Sequence, residues 1–392
     1  MLFVQFVGNE MTDYTPPEYV LVEQDADLQR LMAELRGEAA IGVDLEADSM
    51  FHYQEKVCLI QIATERLNLL IDPLSVRDLS PLAPVFADRR VRKVFHGADY
   101  DIRSLYRDFG IEVHSLFDTQ IAARFLGFRE ISLASLLHEN FHISSDKKYQ
   151  KKDWSQRPLS APMMEYAVQD ICYLLPLVRI LEKKLKKKGL LFCVEEECEL
   201  LSAVRPNSPR SGSFFTSFKG AARLDPRSLA VLEGLLCFRD QLAKRRDCPH
   251  FKVLGNQQIL DIVQSRPLSR SDFSGIKGLS RKQIDHMGEA IIEKVREGLR
   301  VPDEALTVYP RKTWQRLRSR EGARVEALKR WRDRVGDQWG VDPAVICTNA
   351  QIREIAIANP QGPEDMKAIE GIRNWQIELI GPEICNLLKD TG

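Results

Sequence analysis

Short apolar runs bounded by polar or turn-forming residues recur through the first half of the chain. They cover 40–45, 57–63 and 67–72, and Asn or Asp residues stand near their ends. Runs of this length that are rich in β-branched residues are typical of strands. A fourth run at 91–95 leads into a segment with helical spacing at 100–108. The pattern therefore predicts three consecutive strands followed by a strand–helix unit.

Helical periodicity dominates the remainder of this half. Apolar positions recur with a helical period at 117–126, 132–138 and 162–185, which predicts three further helical segments. Strands that precede strand–helix units favour a mixed sheet with helices packed on it. We therefore expect an α/β domain over residues 17–201.

The composition changes after this domain. Residues 202–225 are rich in Ser, Pro, Gly and Arg, which is typical of a linker. Beyond them, residues 256–291 align with 349–384 at an offset of 93 without a gap, and 12 of the 36 positions are identical. A repeat of this length predicts two copies of a small helical domain, which we place at 226–305 and 320–390.

Composition and charge narrow the classes of protein to consider. The 392 residues include 56 Lys plus Arg and 56 Asp plus Glu, so the formal net charge is zero. A nucleic-acid-binding surface would therefore have to come from local clusters of basic residues. The eight cysteines form no C-x-x-C pair, and no Cys/His spacing is typical of a zinc site. No apolar run is long enough to cross a bilayer, and scattered cysteines favour a cytoplasmic protein.

Two pairs of polar residues indicate possible chemistry. Asp44 and Glu46 follow each other at the end of a predicted strand, and because strand side chains alternate they point to the same face. Tyr166 and Asp170 are four residues apart in a helical pattern, so they share a helix face. Carboxylate clusters suit Mg²⁺ or Mn²⁺ better than zinc. Each pair taken alone is more typical of a solvated surface, and only their combination in order is specific.

The order of the motifs resembles the ribonuclease D family of DEDD exonucleases, in its tyrosine subclass. After DLE at 44–46 come VFHGADYDIRSL at 94–105, FDTQIAARFLG at 117–127, DWSQRPL at 153–159 and YAVQD at 166–170. The repeated helical domains resemble HRDC domains, which follow the exonuclease domain in this family. The resemblance implies an α/β ribonuclease H-like exonuclease core followed by two small all-α HRDC-like domains.

The resemblance also implies roles for individual residues. Two divalent metal ions, Mg²⁺ or Mn²⁺, would be held by the carboxylates of Asp44, Glu46, Asp101 and Asp170. Tyr166 would position the water that attacks the phosphate. Asp99 stands two positions before Asp101 and is the alternative ligand in that motif. Family members often carry Ser directly before Asp-Trp, where this chain has Lys152, so local substrate contacts are expected to differ there.

Further side chains are candidates for contacts with the substrate. Polar or basic groups near the motifs could bind a terminal nucleotide or a phosphate, or they could be structural or simply solvated. These candidates are Gln61, His96, Lys147, Lys148, Lys151, Lys152 and Lys277. Asp118 could assist the site, but a carboxylate at the start of a helix is expected to cap it.

The implied reaction is 3′→5′ hydrolysis of RNA to nucleoside 5′-monophosphates. The implied partner is RNA with a free 3′ end, chiefly tRNA precursors and other small structured RNAs, and no obligate protein partner is evident. The same metal chemistry serves DNA, so a 3′→5′ DNA exonuclease stays open, as does a non-catalytic RNA-binding scaffold. If the helical domains hold the RNA body, deletion of 226–392 should weaken RNA binding and largely spare hydrolysis of a short oligonucleotide.

Overall fold

The computed structural model describes residues 18–144, 148–206, 212–310 and 317–391. The α/β domain is built on a sheet whose strands follow the order β1-β4-β3-β2-β5-β6. The pairs β2–β3 and β3–β4 are antiparallel, and the other pairs are parallel. The expected mixed sheet is therefore confirmed. Its described strands are β1 (Val20–Val22), β2 (Ala40–Ala47), β3 (Val57–Ala63), β4 (Asn68–Ile71), β5 (Arg92–Phe95) and β6 (Leu116–Asp118).

Helices cover both faces of this sheet. The described helices of this region are α1 (Asp25–Arg36), α2 (Ala83–Ala87), α3 (Asp99–Phe109), α4 (Thr119–Leu126), α5 (Leu133–Phe141), α6 (Ala161–Cys172), α7 (Leu174–Lys188) and α8 (Leu191–Ser202). Every residue of β3 is buried, as expected for a strand whose sequence, VCLIQIA, is almost entirely apolar. The site carboxylates lie on β2 beside it and on helices packed against this centre.

Two predicted helices differ from the observed ones. The segment 117–126 begins with strand residues, because Phe117 and Asp118 pair with β5, and the helix starts only at Thr119. The segment 162–185 is divided at Tyr173 into α6 and α7. Pro176 explains this division, since a proline ring clashes with the carbonyl four residues earlier in a continuous helix. The break ends α6 shortly after Asp170.

Part of the segment predicted as a linker is folded onto the first helical domain. Phe215 and Phe218 are buried in that domain's core, and 3₁₀ turns span Phe214–Ser217 and Ala221–Arg223. Glu233 accepts hydrogen bonds from the amides of Phe214 and Phe215 at 2.9 and 3.0 Å. The exact domain boundaries stay a prediction.

The two helical domains show the same architecture. The first contains α9 (Pro226–Arg246), α10 (His250–Val253), α11 (Asn256–Ser265) and α12 (Arg281–Arg300). The second contains α13 (Ser319–Trp339), α14 (Pro343–Ile346), α15 (Asn349–Ala358), α16 (Asn374–Leu379) and α17 (Gly381–Asp390). Where the first has one continuous α12, the second has two helices. Pro382 accounts for the difference, because it cannot continue α16 past Ile380.

Repeated residues make the same contacts in both copies. Gln258 donates to the carbonyl of Gly278, and Gln351 donates to that of Gly371. These glycines have φ values of +83° and +82°, a backbone conformation that favours glycine. The identities found in the repeat are thus explained by turn geometry and by helix capping. No helix in the described ranges is long and apolar enough to cross a membrane.

The second helical domain docks on the α/β domain through the start of α16. Trp375 is 1% exposed and packs into the core of the α/β domain, where its ring meets that of Phe125 edge-on at 5.4 Å. Glu196 on α8 accepts from the backbone amides of Asn374 and Trp375 at 2.7 and 2.9 Å. A carboxylate of the α/β domain therefore caps a helix of the second helical domain.

Candidate active site

Carboxylates from β2 and α6 meet in the α/β domain. Asp44 and Glu46 share one face of β2, and α6, which packs on β2 and β3, carries Asp170. Each of these three residues offers a carboxylate oxygen, and the three oxygens lie within 4.8 Å of one another. Gly42 permits this packing, since a Cβ there would lie 3.2 Å from the carbonyl oxygen of Ile171 on α6.

Asp101 faces the same region from the first turn of α3. It is 6% exposed, and its charge contributes to raising the pKa of both Asp44 and Glu46. Asp99 differs in each respect: its side chain is 60% exposed and pairs with Arg103 at 2.9 Å. The two candidates of this motif therefore lie in opposite environments, and the buried carboxylate is the one whose charge acts on the cluster.

Burial and mutual repulsion make ionisation of this cluster unfavourable without a cation. Burial is the largest cause in every case, and neighbouring carboxylates add to it for Asp44 and Glu46, whose pKa values are raised well above the ordinary range. Burial raises the pKa of Asp101 to about 7 and that of Asp170 to about 6. An all-oxygen donor set with these properties fits a hard divalent cation, which would favour the ionised forms.

Tyr166 lies one helical turn before Asp170 and borders the same cluster. Burial, followed by the charge of Asp170, raises its pKa far above the ordinary value for tyrosine, so the phenol stays protonated. Its hydroxyl donates to Asp170, which lowers the pKa of that carboxyl. Burial raises the same pKa by more, so the net shift is upward. Its ring lies 6.2 Å from that of Trp154 and 5.9 Å from that of Tyr149. The hydroxyl is thus held beside the carboxylates as a neutral hydrogen-bonding group.

An open cleft of about 400 Å³ leads to the carboxylates. This volume lies within the usual range of small-ligand sites and is large enough for a nucleotide. Polar side chains line it from several different elements: Asp44, Glu46, His96, Gln120, Ser132, Gln150, Tyr166 and Asp170. Gln120, Ser132 and Gln150 were not predicted, because a single polar residue at a helix start or in a loop gives no sequence signal.

The structure separates the predicted substrate residues into different groups. His96 lines the cleft, with Nδ1 3.0 Å from Thr119 Oγ1, and burial lowers its pKa. Gln61 is fully buried and does not line the cleft, and its side-chain amide has no hydrogen-bond partner among the described residues. A direct contact between Gln61 and a nucleotide is therefore not supported by its position.

The predicted lysines lie in two places. Lys151 and Lys152 are exposed in the segment that also carries Gln150 of the cleft, and the Lys148 ammonium lies 5.2 Å from the ring centre of Tyr149. Lys147 lies outside the described residues. Lys277 is exposed in a turn of the first helical domain and does not line the cleft.

Asp118 supports the site without facing the cleft. It caps α4 by accepting from the amide of Gln120 at 2.7 Å. It also accepts from the amides of Gly97 and Ala98 at 3.0 and 2.8 Å. These bonds fix the turn from which α3 starts, three residues before Asp101. The expected capping role is therefore observed, together with a second set of bonds that the sequence did not indicate.

Comparison with known proteins agrees with this architecture. A family model described as a 3′-5′ exonuclease matches residues 19–186, and the HRDC domain model matches residues 228–295 and 321–388. The two HRDC matches start 93 residues apart, the same offset as the internal repeat. The exonuclease match contains all the motif residues discussed above.

Curated relatives and solved structures cover nearly the whole chain. Ribonuclease D of Bartonella henselae is 28% identical over 372 residues, which is 94% of this chain and 90% of that protein. The crystal structure of Escherichia coli RNase D, described as an exoribonuclease involved in structured RNA processing, has a TM-score of 0.69 and 26% identity and covers 95% of this chain and 99% of that one.

Another solved structure shares part of the architecture. The catalytic core of RRP6 from Trypanosoma brucei is 32% identical, with a TM-score of 0.62, over 73% of this chain and 80% of that one. The order of domains, the exonuclease fold and the extent of these similarities all agree. The chain belongs to the ribonuclease D family and is a hydrolase, a 3′→5′ exoribonuclease with two HRDC domains.

Proposed function

We propose that this enzyme uses two divalent ions, Mg²⁺ or Mn²⁺, to trim the 3′ ends of tRNA precursors and other small structured RNAs. The observation that carries the proposal is the convergence of carboxylate oxygens from Asp44, Glu46 and Asp170 within 4.8 Å, with buried Asp101 beside them. The pKa values of these four carboxyls are all raised. Such a group is costly for the fold unless a cation binds it.

The carboxylates of Asp44, Glu46, Asp101 and Asp170 would hold the ions. When bound, a pair of such ions stabilises the attacking and the leaving oxygen of a phosphoryl displacement. Water forms the new bond to the terminal phosphorus, and the bond from that phosphorus to the 3′ oxygen of the preceding nucleotide breaks. The products are a nucleoside 5′-monophosphate and an RNA shortened by one residue with a free 3′ hydroxyl.

Tyr166 would orient the attacking water. Its hydroxyl stays protonated because of its raised pKa, so it donates to Asp170 while its oxygen accepts a hydrogen bond from water. Orientation by a neutral hydroxyl does not require the tyrosine to lose its proton. The buried ring of Trp154, 6.2 Å away, keeps the Tyr166 ring in place.

The relatives and the charge beside the cleft support a structured RNA as the substrate. The Escherichia coli structure is that of an exoribonuclease involved in structured RNA processing, and the family resemblance suggests tRNA precursors. Lys151 and Lys152 next to the cleft offer positive charge for the phosphates of an entering strand. The described residues show no group that we can assign to recognition of a 2′-hydroxyl, so a comparison with DNA is part of the test.

The test is hydrolysis of a 3′-extended tRNA precursor labelled at its 5′ end, in the presence of Mg²⁺ or Mn²⁺. Wild type should produce a ladder that shortens from the 3′ end and stops near the mature terminus. Asp44→Ala, Asp170→Ala and addition of EDTA should each abolish the ladder. Equal trimming by these variants would refute the site, and faster degradation of single-stranded DNA of the same sequence would refute the substrate.

A further inference from the structure

The loop that leaves the carboxylate-bearing strand is also where the first helical domain contacts the exonuclease. This docking loop, residues 48–56, begins two positions after Glu46 and ends at the start of β3. Tyr53 in the loop packs against the hydrophobic core of the first helical domain. Its hydroxyl donates to Asp240 at 2.9 Å, and its ring meets that of His250 edge-on at 5.5 Å. Tyr53 therefore anchors the loop to the first helical domain.

A second contact joins the docking loop to the end of α9. Asp247 follows α9 with a φ of +44°, and its Oδ1 accepts from the amide of Tyr53 at 3.1 Å. Its Oδ2 lies 2.7 Å from Nδ1 of His52. The hydrogen bond from His52 lowers the pKa of Asp247, so this carboxylate is ionised and can only accept. Nδ1 of His52 is consequently the donor.

The other nitrogen of His52 reaches the segment that precedes α6. Nε2 lies 3.1 Å from Oγ of Ser155, and that hydroxyl donates to Asp153 at 2.6 Å. Between these two residues, Trp154 is fully buried and packs beside Tyr166. One imidazole therefore connects the docking loop, the first helical domain and the segment that supports the Tyr166 helix.

The docking loop also contacts the helix that carries Asp101. Glu55 forms an ion pair with Arg107 of α3 and accepts from the hydroxyl of Tyr100 at 3.1 Å. The amide of Val57, at the loop's end, donates to Asp108 of α3 at 2.8 Å. The docking loop thus continues directly from β2, is bonded to α3 and approaches α6 through Ser155. These three elements carry all four candidate metal ligands.

Glu46 stands at an irregular point of its strand. It pairs with Leu59 of β3 while the next residue, Ala47, pairs with Val57, so the register shifts between them, and such an irregularity bends the strand and re-aims its side chains. The chain then enters the docking loop, where Asp48 accepts from the amide of Lys56 at 2.8 Å. A shift of the docking loop would therefore act directly on the irregular end of β2 that carries Glu46.

We propose that His52 and Tyr53 are positioning residues, through which docking of the first helical domain sets Glu46 relative to Asp101 and Asp170. The first helical domain then tunes the affinity of the carboxylates for divalent ions, in addition to any role in holding RNA. This inference rests on the proposed function, because it requires that the carboxylates bind metal. It also predicts that the helical region contributes to hydrolysis of substrates too short to reach it, which is contrary to the expectation from the sequence that deletion of 226–392 largely spares such substrates.

The test measures Mn²⁺ binding to the full-length protein without RNA, by loss of the free-ion signal in electron paramagnetic resonance. Tyr53→Ala should weaken Mn²⁺ binding by roughly tenfold, the lower end of the range for residues that orient metal ligands. Tyr53→Phe keeps the ring in the helical domain and loses only the hydroxyl, so it should bind nearly as wild type does. The Mn²⁺ concentration for half-maximal hydrolysis of a pentanucleotide should shift in parallel.

The matched control is Glu196→Ala, which removes the cap on α16 and loosens the second helical domain instead. Its Mn²⁺ binding should equal that of wild type, because Glu196 lies on α8 and contacts α16, away from the docking loop. If folded Tyr53→Ala binds Mn²⁺ as wild type does, or if Glu196→Ala weakens binding equally, this inference is refuted while the proposed function stands. If wild type binds no Mn²⁺, or if Asp44→Ala binds as wild type does, the proposed function fails with it.

Discussion

Replacing Asp101 by Asn should stabilise the metal-free protein, although Asp101 is a candidate ligand. Burial raises the pKa of this carboxyl from 3.8 to about 7, with smaller contributions from Asp118 and Asp99. A pKa unit corresponds to about 1.4 kcal/mol, so a shift of roughly three units would cost the folded state up to about 4 kcal/mol when the group is ionised. Because neighbouring carboxyls share protons with Asp101, we expect Asp101→Asn to raise the free energy of unfolding by roughly 2–4 kcal/mol.

The size of this effect depends on pH. Below about pH 4 the carboxyl is protonated in both the folded and the unfolded chain, so it makes no difference to stability. Between about pH 4 and 7 the folded state retains a proton that the unfolded state has released, and the free energy of unfolding falls as pH rises. Above pH 7 Asp101 is ionised in both states, and the folded state bears the full cost of the buried charge. The gain from Asp101→Asn should therefore be largest at alkaline pH.

Thermal unfolding in EDTA at pH 8 and pH 4.5 measures this difference. For a domain of this size, 1 kcal/mol shifts the melting temperature by about 2–4 °C, so Asp101→Asn should melt roughly 5–15 °C above wild type at pH 8. The gain should be much smaller at pH 4.5. Addition of Mg²⁺ should raise the melting temperature of wild type and have little effect on the variant, because ligand binding stabilises only a competent site.

Asp99→Asn is the matched control for this prediction. Asp99 is two positions away on the same helix, and its pKa is lowered by the hydrogen bond from Arg103. Loss of an exposed ion pair should lower stability by no more than about 1 kcal/mol, and the response to Mg²⁺ should stay as in wild type. A lower melting temperature for Asp101→Asn at pH 8, or an equal gain for Asp99→Asn, would refute the electrostatic reasoning.

Three further predictions concern other parts of the molecule. Tyr166→Phe should lower kcat by about 100-fold or more with little change in Mn²⁺ affinity; a comparable loss of affinity would show that the hydroxyl acts on the ligands instead. Trp375→Ala should destabilise the docked protein by roughly 3–5 kcal/mol, and a urea midpoint equal to that of wild type would contradict the packing. Joint replacement of Lys151 and Lys152 by Ala should weaken RNA binding and reduce the slope of log K against log salt by about 1–2; an unchanged slope would exclude phosphate contacts.

The parts of the fold that the sequence predicted are those with long or strongly patterned segments. Strands β2 to β5 are apolar runs with polar ends, and the pattern located them within a few residues. The edge strands β1 and β6 have three residues each, too few to show an alternation. In β6, Leu116 and Phe117 merge with the helical pattern that follows, which is why the predicted helix at 117–126 started too early.

In the candidate site, too, local patterns predicted neighbouring residues but not contacts between distant elements. Strand alternation placed Asp44 with Glu46, and helical spacing placed Tyr166 with Asp170. Their approach across β2 and α6 depends on packing that no local pattern encodes, and the exposure that separates Asp101 from Asp99 is visible only in the structure. Asp101 was preferred at the sequence level because of the family resemblance, not because of any property of the segment itself.

The sequence did not predict any of the contacts between domains. His52 and Asp247 are 195 residues apart, and neither belongs to a recognisable motif. The repeat predicted two similar helical domains, and it could not show that one docks through Tyr53 and the other through Trp375. Each helical domain contacts a different part of the exonuclease, through residues that the two copies do not share. The repeat therefore carries no information about these contacts.

Anomalous diffraction from crystals soaked in Mn²⁺ tests the assignment of the site most directly. The account predicts two peaks roughly 3.5–4 Å apart, bound by oxygens of Asp44, Glu46, Asp101 and Asp170, and loss of at least one peak in Asp44→Asn. Peaks coordinated by Asp99, or the absence of any peak at these carboxylates at a Mn²⁺ concentration that supports hydrolysis, would contradict it.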